Sequence, residues 1–370
     1  MKYIHELKAW PRFRWNEEKV TDLLTSVRHR QGRFVGRMEV LGFPLRDEAA
    51  LQTLTQEIVK SSEIEGERLD QLQVRSSIAR RLGMDLVGLP RPSRAVDGVV
   101  EMTLDAVQNF KAPLTAERLF GWHSALFPTG RSGMTKIYVG RWRNDKSGPM
   151  QVVSGPVGKE RVHFAAPAAS RLSREMRAFL AWFNGNEPVD WVLKAGIAHL
   201  WFVTLHPFDD GNGRIARAIT DMALSRSEES SQRFYSMAAQ ICAERKNYYD
   251  ILESTQNGDL DITKWLSWFL NCLGRAFQGA EEILASVLNK ARFWQAYKEE
   301  RFNERQRLVL NRLLNGLKGK LTSSKWAALG HCSQDTASRD IDDLLERKIL
   351  VKNAGGGRST SYSLAHQEIS

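Results

Sequence analysis

The stretch HPFDDGNGRIAR, residues 206–217, sets one histidine, two acids, one asparagine, two glycines and two arginines within twelve positions. Gly211 and Gly213 admit backbone conformations that other residues resist, so a tight turn here aims successive N–H groups at one point. Ile215, Ile219, Met222 and Ala223 then recur at helical spacing. A helix therefore opens directly from the turn, and its N-terminus favours negative charge. Arg214 and Arg217 share one face of the first helical turn and carry the planar fork that suits phosphate. Asp210 is a hard oxygen ligand of the kind that holds magnesium beside phosphates. Asn212 bonds to phosphate or pins the loop without adding charge. His206 ends the preceding helix, and an imidazole suits general-base work near neutrality. Together these residues describe a nucleotide site with a base for the attacking group. The chain has no GxxxxGK[ST] and no kinase motif set, so the site is not a P-loop.

Outward from this loop the chain reads mostly as helix. Leu51, Leu54 and Ile58 predict an amphipathic helix from Arg46 into SSEIEGE (61–67), where Gly66 is a stop signal. Two helices lead into the loop, from Ala168 to about Phe183 and from about Pro188 to Leu205, and others follow it to about Arg301. Residues 128–168 differ, being rich in Gly and Pro. Their short apolar runs Met150–Val153 and Arg161–Phe164 flank a Gly-Pro loop and predict a β-hairpin. From about residue 301 the chain reads as helix, helix-turn-helix with a turn at Gly330–Ser333, and two strands joined by a Gly-rich tip. That is the layout of a winged helix. At the other end, WPRFRWNEEKV (10–20) looks like a docking segment anchored by Trp10, Phe13 and Trp15, ahead of a basic helix.

Composition bounds the reading. The 370 residues, 42% hydrophobic and 26% charged, suit two or three soluble globular domains. No apolar run approaches the roughly 18 residues of a membrane span, and no secretory signal opens the chain, so a cytoplasmic protein without a membrane partner is expected. Cys242, Cys272 and Cys332 are an odd number with no CxxC pair, against a disulfide framework or a cysteine zinc site. The net charge of +10 permits an acidic partner but is spread along the chain.

The quoted loop resembles the signature of the Fic family, H-P-F-x-[D/E]-G-N-G-R-x-x-R, at every specified position. The resemblance implies a mainly α fold: a Fic helical core with a β-hairpin flap, here followed by a C-terminal winged-helix domain. It implies protein adenylyltransferase activity, in which AMP passes from ATP to a Ser, Thr or Tyr hydroxyl of a target protein and pyrophosphate leaves. By that resemblance His206 deprotonates the target hydroxyl and Asp210 holds Mg2+ on the α- and β-phosphates. Gly211, Asn212, Gly213 and Arg214 line the phosphates, and Arg217 takes the γ-phosphate. Met150, Gln151, Val152 and Val153 resemble the flap strand that holds the target through backbone hydrogen bonds. Tyr248 and Tyr249 fall where the family often borders the adenine. Adjacent helical residues do not face one way, so one of them reads as core.

SSEIEGE also fits S/T-x-x-x-E-G/N as Ser61, Glu65 and Gly66. In this family that pattern marks an inhibitory helix whose glutamate reaches the second signature arginine, here Arg217. The expected organisation is a leader domain over 1–46, the inhibitory helix region over 47–95, the catalytic domain over 96–300 and the winged helix over 301–370. Alternatives stay open: AMP removal or transfer of another nucleotide-derived group, self-modification, a homodimer, or a DNA-binding regulator. In the DNA reading Gln334, Thr336, Ser338 and Arg339 face the major groove and Lys352 and Arg358 touch backbone. Asp335, Asp340, Asp342 and Asp343 put acid along the same helix.

Overall fold

The computed structural model describes residues 2–39, 42–84, 88–146, 148–155, 159, 161–317, 319–353 and 360–365. Arg358 lies outside them. The chain divides into two units, Met1–Glu281 and Glu282–Ser370.

The first unit is helical. After a short 3-10 turn at Ile4–Glu6 come α1 (Glu17–Glu39), α2 (Phe43–Ile64), α3 (Gln71–Arg81), α4 (Arg94–Gln108) and α5 (Ala116–Leu126). Two small antiparallel pairs follow, β1 (Arg131–Ser132) with β2 (Thr135–Lys136), and β3 (Gln151–Ser154) with β4 (Arg161–Ala165). Then come α6 (Ala169–Asn184), α7 (Trp191–Leu205), α8 (Asn212–Glu228), α9 (Met237–Ala243), α10 (Arg245–Gln256) and α11 (Thr263–Ala296). Short polar side chains start these helices where the sequence supplies them. Asp70, Ser93, Thr115, Asp190 and Ser236 each accept a backbone N–H of the first turn of α3, α4, α5, α7 and α9.

The α7 helix is the central element. Every residue from Val192 to Leu205 is buried, which is why its sequence is apolar all round rather than striped. Even Lys194 is inside, its ammonium donating to the Gly185 carbonyl at 2.7 Å and lying over the Trp191 ring. The α8 helix packs along α7, so the loop joining them, residues 206–211, is held from both sides. The N-terminal segment docks on this core. Trp10 and Phe13 pack edge-on against Trp201 of α7, and the Trp10 indole donates to Glu175 at 3.0 Å. His5 bonds the Ala165 carbonyl at 2.8 Å and meets the Phe164 ring, which ties the same segment to β4.

In the second unit α12 (Glu304–Leu314), α13 (Ser323–Gly330) and α14 (Gln334–Glu346) precede β5 (Leu350–Lys352) and β6 (Tyr362–Leu364), the order of elements expected there. The two strands pair antiparallel with Leu350 opposite Leu364. Val309, Leu310, Leu321, Trp326, Ile341, Leu344 and Leu350 form a separate core. No helix among the described residues is long and apolar enough to cross a membrane.

Candidate active site

His206 closes α7 in the left-handed conformation, φ 46° and ψ 58°, with its N–H on the Phe202 carbonyl. The ring Nδ1 lies 3.3 Å from the Val203 carbonyl. A carbonyl only accepts, so Nδ1 carries the proton and Nε2 is left with its lone pair. Burial, assisted by the nearby Arg143 cation, pushes the imidazole down to about 4, so it is neutral at pH 7. Arg143 braces the loop from below. Buried itself, it donates to the His206 carbonyl at 2.7 Å and the Pro167 carbonyl at 2.6 Å, and its backbone N–H bonds Pro207.

The turn is pinned by Asn212, not left free. Its side-chain oxygen accepts from the Phe208 N–H at 3.0 Å and its amide donates to the Phe208 carbonyl at 2.8 Å. Of the two roles expected for Asn212, the structure thus provides the loop pin. Gly211, at φ 80°, begins α8, and a Cβ there would meet Phe127 at 2.9 Å. Asp210 accepts a hydrogen bond from the Ser132 hydroxyl, and Asp209 accepts from the Tyr138 N–H at 2.8 Å. The short β1–β2 hairpin is therefore strapped to the acidic side of the loop. His123 supports it from α5: the Gly140 N–H donates to its Nδ1, which leaves Nε2–H to bond the Asp210 carbonyl at 3.2 Å, and the ring stacks on Phe208.

The two signature arginines are both buried and both paired with the chain just after α2. Arg217 donates from Nε to the Ser61 hydroxyl at 2.8 Å, and from Nη2 to the Ser61 carbonyl at 2.8 Å and Glu65 Oε1 at 2.7 Å. Arg214 donates from Nη1 to Glu67 Oε2 at 2.5 Å and lies over the Phe127 ring. A Cβ added at Gly213 would fall 2.1 Å from Glu65 Oε1, so the glutamate rests on the bare backbone of the first turn of α8. The chain's own carboxylate thus occupies the anion position of this helix N-terminus. Arg217 Nη1 and Arg214 Nε make no hydrogen bond although buried, a donor surplus of the kind a polyphosphate would satisfy. Among the described residues no three His, Cys, Asp or Glu side chains cluster as a metal site. A single carboxylate such as Asp210 plus substrate phosphates is nonetheless a common way to hold Mg2+.

The tyrosines separate as the helix geometry requires. Tyr248 is buried and donates to His199 Nε2 at 2.8 Å, while His199 Nδ1–H bonds Thr220, whose hydroxyl donates to Ala216. Tyr249 is 39% exposed and bonds the Ile64 carbonyl at the end of α2 at 3.4 Å. The candidate flap is β3, paired on one side with β4 through Gln151–Ala165 and Val152–Phe164, with a register irregularity after Val152. Met150 joins by its carbonyl to the Ala166 N–H. Among the described residues the outer edge of β3 carries no strand. Arg161 and His163 of β4 both grip Glu253 of α10, at 2.7 and 2.6 Å.

In the second unit Ser338 and Arg339 are exposed on α14, while the Gln334 amide meets the Ser323 and Ser324 hydroxyls at 3.2 Å. Asp340 points inward, accepting from Arg305 and Asn303, and Asp343 takes Gln306 and Arg347. Half of the acid read along that helix is thus consumed inside the unit. Glu67, Arg143, His123 and Ser132 escaped the sequence reading. Only Glu67 had a local signal: it stands two positions after Glu65, opposite arginines three apart.

Residues 113–224 match the family model described as "Fic/DOC family", and residues 3–84 match "Domain of unknown function (DUF4172)". The chain is 25% identical over 241 residues to "Protein adenylyltransferase Fic" of Aedes aegypti, covering 61% of this chain and 42% of that protein. It is 31% identical over 96 residues to the protein of the same name in Nematostella vectensis, covering 25% of this chain and 21% of that one. The chain therefore spans well under two thirds of the length of these curated relatives. A Fic family protein from Desulfovibrio desulfuricans G20 superposes with a TM-score of 0.54 at 20% identity, over 95% of this chain and 97% of that one. A Fic domain containing signaling protein from Bacteroides thetaiotaomicron VPI-5482 gives 0.50 at 18% identity, over 72% and 98%. At these identities the structures speak for the fold alone.

Proposed function

We propose, from the match of residues 113–224 to the Fic/DOC family, that the chain is an autoinhibited protein adenylyltransferase, moving AMP from ATP to a hydroxyl of a target protein. What carries the reading is one contact. Glu65 sits where an anion belongs, on Arg217 and against Gly213. In this reading His206 Nε2 takes the proton of the target hydroxyl, whose oxygen bonds the α-phosphorus as the bond to pyrophosphate breaks. His206 afterwards gives the proton to solvent. The first turn of α8 and its two arginines hold the phosphates, and the outer edge of β3 at Met150–Val153 takes the target as an added strand. Asp210 would hold Mg2+, whose chemistry is to neutralise phosphate charge. Tyr249, not Tyr248, is the tyrosine left to border the base, because the Tyr248 hydroxyl is committed to His199.

With Glu65 in place, Arg217 is withheld from the γ-phosphate. A nucleotide that still enters is displaced from in-line geometry, a fault that costs about 10²-fold. The test is incubation of wild type, Glu65→Gly and Glu65→Gly/His206→Ala with α-labelled ATP, magnesium and lysate. Label on protein with Glu65→Gly alone is the expected result. Equal label in wild type and Glu65→Gly would remove the autoinhibition, and no label in any lane would remove the activity.

A further inference from the structure

The Glu65–Arg217 pair leaves a second contact unexplained. Glu67 Oε2 lies 2.5 Å from Arg214 Nη1, and the Arg214 side chain is 7% exposed against 42% for that of Glu67. The arginine is thus fixed in the site while the acid reaches it from the rim. Both carboxylates arrive by one device. Glu65 caps α2, Gly66 follows at φ 84°, the Gly66 N–H bonds the Glu63 carbonyl and the Glu67 N–H bonds the Ser62 carbonyl. This is the Schellman end of a helix. It reverses the chain within one residue, so acids two apart in sequence meet arginines three apart on α8.

Resting on the adenylyltransferase reading, we propose that Glu67 is a second inhibitory carboxylate, directed at Arg214 and acting on a different part of the nucleotide from Glu65. Arg217 is the residue assigned to the γ-phosphate; Arg214 is among those assigned to line the phosphates, and in this proposal it meets the α- or β-phosphate. Glu65 therefore competes with a group that ATP has and ADP lacks. Glu67 competes with groups common to both. The two locks separate by their response to nucleotide length. Removing Glu65 favours ATP over ADP, and removing Glu67 raises affinity for both alike. An ion pair whose acid is this exposed is worth roughly two- to fivefold in affinity.

The experiment measures calorimetric binding of Mg-ATP and Mg-ADP to the full chain in a His206→Ala background that blocks turnover. The variants are Glu65→Gly, Glu67→Gln and both together, each checked by circular dichroism and thermal midpoint for intact fold. The expected result is a similar gain for ATP and ADP from Glu67→Gln, a larger gain for ATP than ADP from Glu65→Gly, and both gains in the double variant. Unchanged or weaker ADP binding by Glu67→Gln, beside a normal gain from Glu65→Gly, overturns the second lock and leaves the first standing. It would make Glu67 a positioning residue for Arg214. Failure of every variant to bind either nucleotide overturns the nucleotide reading and the second lock with it.

Discussion

His206 shows how one side chain is tuned by what surrounds it. Burial and Arg143 hold its imidazole down to about 4, while Glu65 and Asp210 pull the other way. A base so weak is unprotonated at every working pH but accepts a proton poorly. Polyphosphate charge arriving beside it would raise it toward neutrality, so the histidine gains basicity only in the complex. The two rate constants should then separate. In the Glu65→Gly enzyme, kcat/KM reports the free enzyme and is expected to stay level from pH 8 down to about 5, whereas the acid limb of kcat, reporting the complex, turns down at higher pH. Removing Glu65 deletes one influence that raises the free imidazole, which moves the kcat/KM limb to still lower pH. A pH profile of the released enzyme checks this, and a kcat/KM limb near the ordinary histidine value of 6.5 would mean that burial does not control the ring.

At the scale of the element, the end of α2 is both an ordinary helix terminus and the proposed inhibitor. The reading of SSEIEGE as a mere helix stop and its reading as a lock are one structure, because the glycine that ends the helix aims the two acids. Open space surrounds Gly66, so its substitution is limited by φ alone. Alanine in the left-handed region costs about 1 kcal/mol, and the helix end relieves that strain by moving, which draws Glu65 and Glu67 off their arginines. Gly66→Ala is expected to lower the thermal midpoint by about 2 °C and to raise AMP transfer part-way toward the Glu65→Gly level. Asparagine tolerates this conformation, so Gly66→Asn should keep the midpoint and stay inhibited. Scanning calorimetry and label incorporation on the two variants decide it. Equal transfer by both would show that the turn does not aim the acids.

Across the whole molecule, local pattern and long-range contact divided what could be read in advance. The signature loop, the helices on either side of it and the β3–β4 pair were legible because each is written in spacing over a few residues. The Glu67–Arg214 pair joins residues 147 apart, and Ser132 reaches Asp210 across 78, so no window of sequence contains either. Nor does spacing reveal that His123 and His199, isolated in the sequence, are buried supports of the loop and of α8. That shared burial has a collective consequence. It lowers His123 to about 4, His199 to about 3 and His206 to about 4. The unfolded chain takes up these protons near pH 6.5 while the folded one resists until far lower, so stability is complete above about 6.5 and is lost as the pH falls toward 4. Burial lowers His5 in the same sense, while Asp221, raised by its own burial, acts in the opposite one. His199 offers the cleanest test because its two bonds need one donor and one acceptor, to Thr220 and from Tyr248, which a glutamine amide also supplies. His199→Gln removes a titrating group while keeping a polar bridge. Unfolding free energies from urea titrations should fall for wild type between pH 7 and pH 5, and the variant's fall should be smaller by about 2 kcal/mol over that interval. Parallel slopes for the two proteins would mean that His199 is not held neutral by the fold.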